Sequence, residues 1–143
     1  MRLIDLIALF VLSSMLFMAA PCGAAQPPIK IGASVSLTGS FSALGQNQFR
    51  GYQVCIKRAN DKGGLLGRKI ELVTEDDKSD AAAAVKIYER LIAEKHVDAI
   101  LGPYGSASAD AVAEVSEKHH LPMIAPLAGT SAIFKKGRNY SRR

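Results

Sequence analysis

A chain of 143 residues has room for one domain or part of one, which excludes a multidomain enzyme. Its 18 Lys+Arg against 13 Asp+Glu suggest an anionic partner only until position is considered. Lys135, Lys136, Arg138, Arg142 and Arg143 fall among the last nine residues with no acid, whereas residues 26–134 hold 12 basic and 12 acidic side chains. The excess belongs to one short segment, and nucleic acid is not expected as a partner. With 48% apolar and 22% charged residues, the composition excludes global disorder.

Arg2 precedes an uncharged apolar run, Leu6–Ala20, that ends in Gly23-Ala24-Ala25 before Gln26-Pro27-Pro28. A basic start, an apolar core and a small-residue end describe a secretory signal peptide over residues 1–25. The 15-residue run is short for a membrane span of about 20 residues. Cys22 offers a lipoprotein anchor as an alternative, which Pro21 directly before it disfavours. Cleavage after Ala25 leaves Cys55 as the only cysteine, so no internal disulfide forms. Its neighbours place Cys55 near the apolar side of a helix, where a free thiol packs as a small hydrophobe.

The remaining chain alternates strands and helices. Ile29–Ser36 reads as a strand, Leu37–Gly45 as a loop, and Gln46–Lys62 as a helix with Phe49, Tyr52, Ile56 and Ala59 on one stripe. Gly63-Gly64 stops that helix, and Lys69–Glu75 is a second strand. Ser79 is placed to cap a helix from Asp80 to about Lys95, with Ala84, Tyr88 and Leu91 inward. Val97–Leu101 is a third strand and Ser106–His119 a third helix, with Ala109, Val112, Ala113 and Val115 inward. Leu121–Ala125 is a fourth strand and Thr130–Lys136 a helical turn; the basic tail, residues 138–143, reads as frayed. Alternation of this kind predicts right-handed crossovers and an α/β fold with a parallel sheet in three layers.

Ligands of open parallel sheets bind beyond the carboxyl ends of the strands. Three loops qualify here, Leu37–Gly45, Gly102–Ser106 and Pro126–Thr130, and none carries a charged side chain or histidine. Ser106 and Thr130 fall where helices start, so they either cap those helices or, with free backbone N–H groups, form an anion site suited to a carboxylate. Catalytic signals are weak. Asp76-Asp77 point opposite ways on an extended strand end, which leaves them solvated or capping roles, and His119-His120 cannot share a helix face as metal ligands. No phosphate loop and no Gly-x-Ser-x-Gly elbow occurs. No cofactor is expected.

In order along the chain, Ile29-Lys30-Ile31-Gly32, Asn60-Asp61-Lys62-Gly63-Gly64-Leu65-Leu66-Gly67-Arg68, Glu75-Asp76-Asp77, Ile100-Leu101-Gly102-Pro103-Tyr104-Gly105-Ser106 and Leu121-Pro122-Met123-Ile124-Ala125-Pro126 resemble the leucine/isoleucine/valine-binding protein family. These are exported type I solute receptors of ABC importers. The resemblance implies the first, incomplete lobe of a type I periplasmic-binding fold over residues 26–137. It also implies a periplasmic location, an inner-membrane ABC permease as partner, and a small amino acid or related carboxylate or amide as ligand. Ligand contacts are implied at Tyr104, Ser106, Leu127, Ala128 and Thr130, and Leu44 matches the position where branched-chain binders often place an aromatic. Members fold as two lobes and are much longer. A truncated, non-binding fragment therefore stands as an alternative, and a small exported α/β hydrolase as a further one.

Overall fold

The computed structural model describes residues 26–142. The expected signal peptide, with Cys22, lies outside the described residues. The elements run β1 (Ile29–Val35), α1 (Ser42–Asp61), β2 (Ile70–Asp76), α2 (Ala81–Ala93), β3 (Ala99–Leu101), α3 (Ser106–Lys118), β4 (Met123–Ile124), a 3-10 turn (Ser131–Lys135) and β5 (Ser141–Arg142). All strand pairs are parallel, in the order β2-β1-β3-β4-β5.

The pleat sends alternate side chains to opposite faces, and each face receives helices. On one face Tyr88 and Leu91 of α2 and Val112 and Ala113 of α3 pack with Ile100 and Met123 in the larger core. On the other, Tyr52 and Phe49 of α1 cover Ala33, Val35, Leu72 and Leu101. This is the three-layer parallel arrangement expected from the alternation. Next to the buried Met123, Ile124 turns to the α1 face and stays 53% exposed.

Several boundaries differ from the sequence reading, each for a physical reason. Helix α1 begins at Ser42, so Leu44 and Gly45 are helical rather than loop. Gly45 serves packing: a Cβ there would lie 2.1 Å from the Ser36 carbonyl oxygen, so only glycine lets the helix meet the end of β1 this closely. Gly45→Ala is therefore expected to cost about 1–3 kcal/mol, read as a lower urea midpoint at unchanged m-value.

The cap of α2 is Asp80, whose carboxylate accepts from the Ala83 N–H at 2.6 Å; Ser79 is not the cap. Lys78 and Ser79 hold left-handed φ values of 55° and 66°, which moves the extended geometry of a cap one residue on. Cys55 is exposed, not packed. Only a narrow stripe of α1 meets the sheet, and Cys55 lies beside it.

The end of the chain is ordered through residue 142 rather than frayed. Arg138 is buried; its guanidinium donates to Asp110 at 2.8 Å, to the Ile133 carbonyl at 3.2 Å and to Glu114. Glu117 accepts from the N–H groups of Asn139 and Tyr140 at 2.9 and 2.7 Å. β5 then joins β4 through Met123 N–H to the Tyr140 carbonyl and Ala125 N–H to the Arg142 carbonyl. Asp110, Glu114 and Glu117 line one side of α3 at helical spacing. Counting charge along the chain misses this, because the balancing acids lie more than 20 residues away in sequence.

Candidate functional site

The strand order reverses at β1 and β3, whose connections leave in opposite directions, and a crevice opens beyond their carboxyl ends. The segments after β1, β2, β3 and β4 all gather there, and a buried polar network fixes them. Asp77, 2% exposed, accepts from the hydroxyls of Ser34 and Ser36 at 2.7 and 2.6 Å and from the Ser79 N–H at 2.9 Å. Its neighbour Asp76 accepts from the N–H groups of Leu37, Thr38 and Lys78 and from the Thr38 hydroxyl. Desolvation pushes the Asp76 carboxyl up, but these donors outweigh it and hold the group below the usual carboxylate range. Both acids are capping groups of the loops, and Asp77 is buried rather than solvated.

The end of β3 is held from both helical layers. Tyr88 hydroxyl accepts from Ser34 N–H and donates to the Leu101 carbonyl, while Tyr52 hydroxyl and Gln48 Nε2 both donate to the Gly102 carbonyl. Burial pushes both phenols above their ordinary value, so at neutral pH they remain donors. Gly102 permits the β3 and β4 ends to touch, since a Cβ there would lie 2.7 Å from that of Ala125.

Ser106 is the first residue of α3, not its cap; Gly105 occupies that place with a φ of 87° and no side-chain cap. The Ser106 hydroxyl oxygen instead accepts from the Gly129 and Thr130 N–H groups at 3.0 and 3.2 Å. Both acceptor positions of the hydroxyl are thus engaged across the two loops, leaving it one proton to donate. Thr130 does cap the 3-10 turn, accepting from Ala132 N–H at 3.3 Å. Ala128 buries its side chain in the larger core, so only its backbone faces the loop, and Leu127 is 41% exposed.

Tyr104 packs against Phe41 with ring centroids 5.4 Å apart. The sequence reading passed over Phe41; the signal it held was an aromatic set between Thr38-Gly39-Ser40 and Ser42. Leu44, the position marked by resemblance, is exposed on the first turn of α1. Ser106 has no basic side chain among its hydrogen-bond partners, and no group of three or more His, Cys, Asp or Glu among the described residues is arranged to hold a metal. What the loops present is hydroxyls, backbone N–H groups and apolar side chains. A groove of about 390 Å³ lies elsewhere, between α1 and β2, lined by Phe49, Ile56 and Leu72 among others.

A family model described as "Periplasmic binding protein" matches residues 28–141. Among curated relatives, a Leu/Ile/Val-binding protein homolog of Brucella melitensis is 38% identical over 132 residues, 92% of this chain and 32% of that protein. Among solved structures, the branched-chain amino acid transporter substrate-binding protein LivJ of Streptococcus pneumoniae, in complex with isoleucine, superposes with a TM-score of 0.76. It is 32% identical, covering 80% of this chain and 32% of that one. A solute-binding protein of Rhodopseudomonas palustris, in complex with 3,4-dihydroxybenzoic acid, gives a TM-score of 0.71 at 28% identity, covering 80% and 31%. These relatives carry the names of binding proteins, which lends the hydrolase alternative no support. The chain spans about a third of the length of the curated relatives it matches.

Proposed function

The chain belongs to the periplasmic binding protein family, and from that premise we propose that it forms the ligand-facing first lobe of an exported solute receptor. The receptor captures branched-chain or related amino acids, or their amides, in the periplasm and hands them to an inner-membrane ABC permease. The observation that carries this reading is the Ser106 hydroxyl oxygen, which accepts from the Gly129 and Thr130 N–H groups and so has its proton left to donate. A solute carboxylate accepts hydrogen bonds from that hydroxyl and from the open N–H groups at the start of α3. Tyr104, Leu127, the Ala128 backbone and Thr130 complete the contact. Capture is non-covalent, and closure of a second wall over the crevice supplies the remaining buried area. The names and bound ligands of the relatives support the solute class.

Isothermal titration of the purified chain with leucine, isoleucine and valine tests the reading. Saturable binding near millimolar or tighter is expected, about −4 kcal/mol or better, and Ser106→Ala is expected to weaken it about 10- to 100-fold. A second reading is that these residues bind no solute by themselves; absence of saturable heat selects it.

A further inference from the structure

β2 is an edge strand: among the described residues it pairs with β1 alone. The register decides which of its backbone groups stay open. Ile29 N–H donates to the Lys69 carbonyl and Asp77 N–H to the Val35 carbonyl, so the odd-numbered residues of β2 face β1. Ile70, Leu72 and Thr74 therefore turn their N–H and C=O groups outward. Asn60, in the last turn of α1, closes the first of these. Its side-chain carbonyl accepts from Ile70 N–H at 2.7 Å, and its Nδ2 donates to the Ile70 carbonyl at 2.8 Å. One side-chain amide thus stands where a residue of an added strand would. Leu72 and Thr74 come next without such cover among the described residues. The groove of about 390 Å³ between α1 and β2 runs beside them, with Phe49 and Ile56 on its helical wall.

We propose that the β2 edge takes up an extended segment of alternating basic and apolar residues from a partner protein, as an added strand that begins where Asn60 leaves off. Backbone bonds to Leu72 and Thr74 hold the segment. Its apolar side chains, on the α1 side, fill the groove, while the intervening ones fall on the opposite face of the sheet beside Glu71. Glu75 is paired with Arg90, which leaves Glu71 as the exposed carboxylate of that face, a match for Lys or Arg. Lys57 at the groove rim is neutralised by Asp61. The same charges argue against a second copy of this chain. The antiparallel register that pairs Leu72 with a second Thr74 sets Glu71 opposite a second Glu75, a like-charge pair. This surface shares no residue with the crevice loops, so it is independent of the receptor reading.

Amide hydrogen exchange on the purified chain tests this, with acetyl-Lys-Leu-Lys-Leu-Lys-amide as the probe. With the peptide at about ten times its Kd, exchange at Leu72 and Thr74 is expected to slow about 10-fold, while Ile70, already bonded to Asn60, is unchanged. Methylating the internal amide nitrogens of the peptide keeps its charge and removes its strand donors, which is expected to weaken it at least about 10-fold. Glu71→Lys, at an exposed position, is expected to weaken the unmodified peptide about 2- to 10-fold. No slowing at about millimolar peptide overturns the proposal. Equal affinity for the N-methylated peptide removes the added strand, and equal affinity for acetyl-Glu-Leu-Glu-Leu-Glu-amide, or no change in Glu71→Lys, removes the basic partner. Slowing at Leu72 and Thr74 that grows with protein concentration in the absence of peptide assigns the edge to a second copy and overturns it as well.

Discussion

Replacing Asp77 with alanine is expected to cost about 3–5 kcal/mol of stability, enough to unfold much of the population of a small domain. Three donors lose their only recorded side-chain acceptor: the Ser34 and Ser36 hydroxyls and the Ser79 N–H. Hydrogen bonds to a carboxylate contribute about 1.5–3 kcal/mol each, and donors stranded in a buried site add a desolvation penalty. A second effect is conformational. The turn after β2 runs through two left-handed non-glycine residues, Lys78 and Ser79, and the Asp76 and Asp77 carboxylates brace it by accepting from their N–H groups. Such residues persist only where surrounding contacts over-determine them. Asp77→Asn keeps the shape and one acceptor oxygen, so a loss of about 1–2 kcal/mol is expected there. Urea unfolding of both variants checks the difference. Equal, small losses in the two would mean that the network contributes little.

The parts of the fold written in local periodicity were legible. The stripes of α2 and α3 lead to the core residues Ala84, Tyr88, Leu91, Val112 and Ala113, because helical spacing alone decides which side chains share a face. The strand-helix alternation likewise implies parallel pairing and places the crevice loops at one end of the sheet. What escaped depends on distant partners. Gly45 has the look of a loop residue until the Ser36 carbonyl is seen beneath it. Arg138 looks like tail until Asp110 and Glu114 appear beside it. Ser106 and Thr130 were picked together from composition and topology, but which of them caps a helix was not readable. Only space shows that the Ser106 hydroxyl joins two loops while Thr130 stays within its own. Phe41 was missed for the same reason, since its partner Tyr104 lies beyond both α1 and β2 in sequence.

These escapes share a consequence for the site. The crevice is organised less by the loops themselves than by buried groups behind them. Asp77 fixes the serines at the end of β1, Tyr52 and Gln48 fix the Gly102 carbonyl, and Tyr88 links β1 to β3. Because these side chains come from α1, α2 and the β2 turn, packing of the whole molecule sets loop geometry to within a hydrogen-bond length. Rigid placement of donors before a ligand arrives reduces the ordering cost of binding. A recognition site made of hydroxyls and backbone N–H groups depends on that rigidity more than one built around a charged side chain.

Arg138→Ala is expected to cost about 2–3 kcal/mol, mostly by releasing the end of the chain. Its guanidinium is almost wholly buried while the partnering Asp110 and Glu114 are more open, so the truncated variant strands few charges. The main loss is the bond to the Ile133 carbonyl, the packing of the side-chain stem, and the seat of β5. Acid should act on the same clasp. The Asp110 carboxyl is held below the usual range, chiefly by the Lys136 ammonium and then by Arg138. Desolvation raises the Glu117 carboxyl, but the N–H groups of Asn139, Tyr140 and Ser141 bring it lower overall. Carboxyls depressed in the folded state contribute stability that is complete above their unfolded values, near 4, and is lost as pH falls through the folded ones. The wild-type chain should therefore lose stability, and amide protection at residues 139–142, as pH is lowered below about 4. Arg138→Ala should show weaker protection of those amides at neutral pH and a shallower acid dependence. Unchanged protection in the variant would mean that Glu117 and the pairing with β4 hold β5 without Arg138.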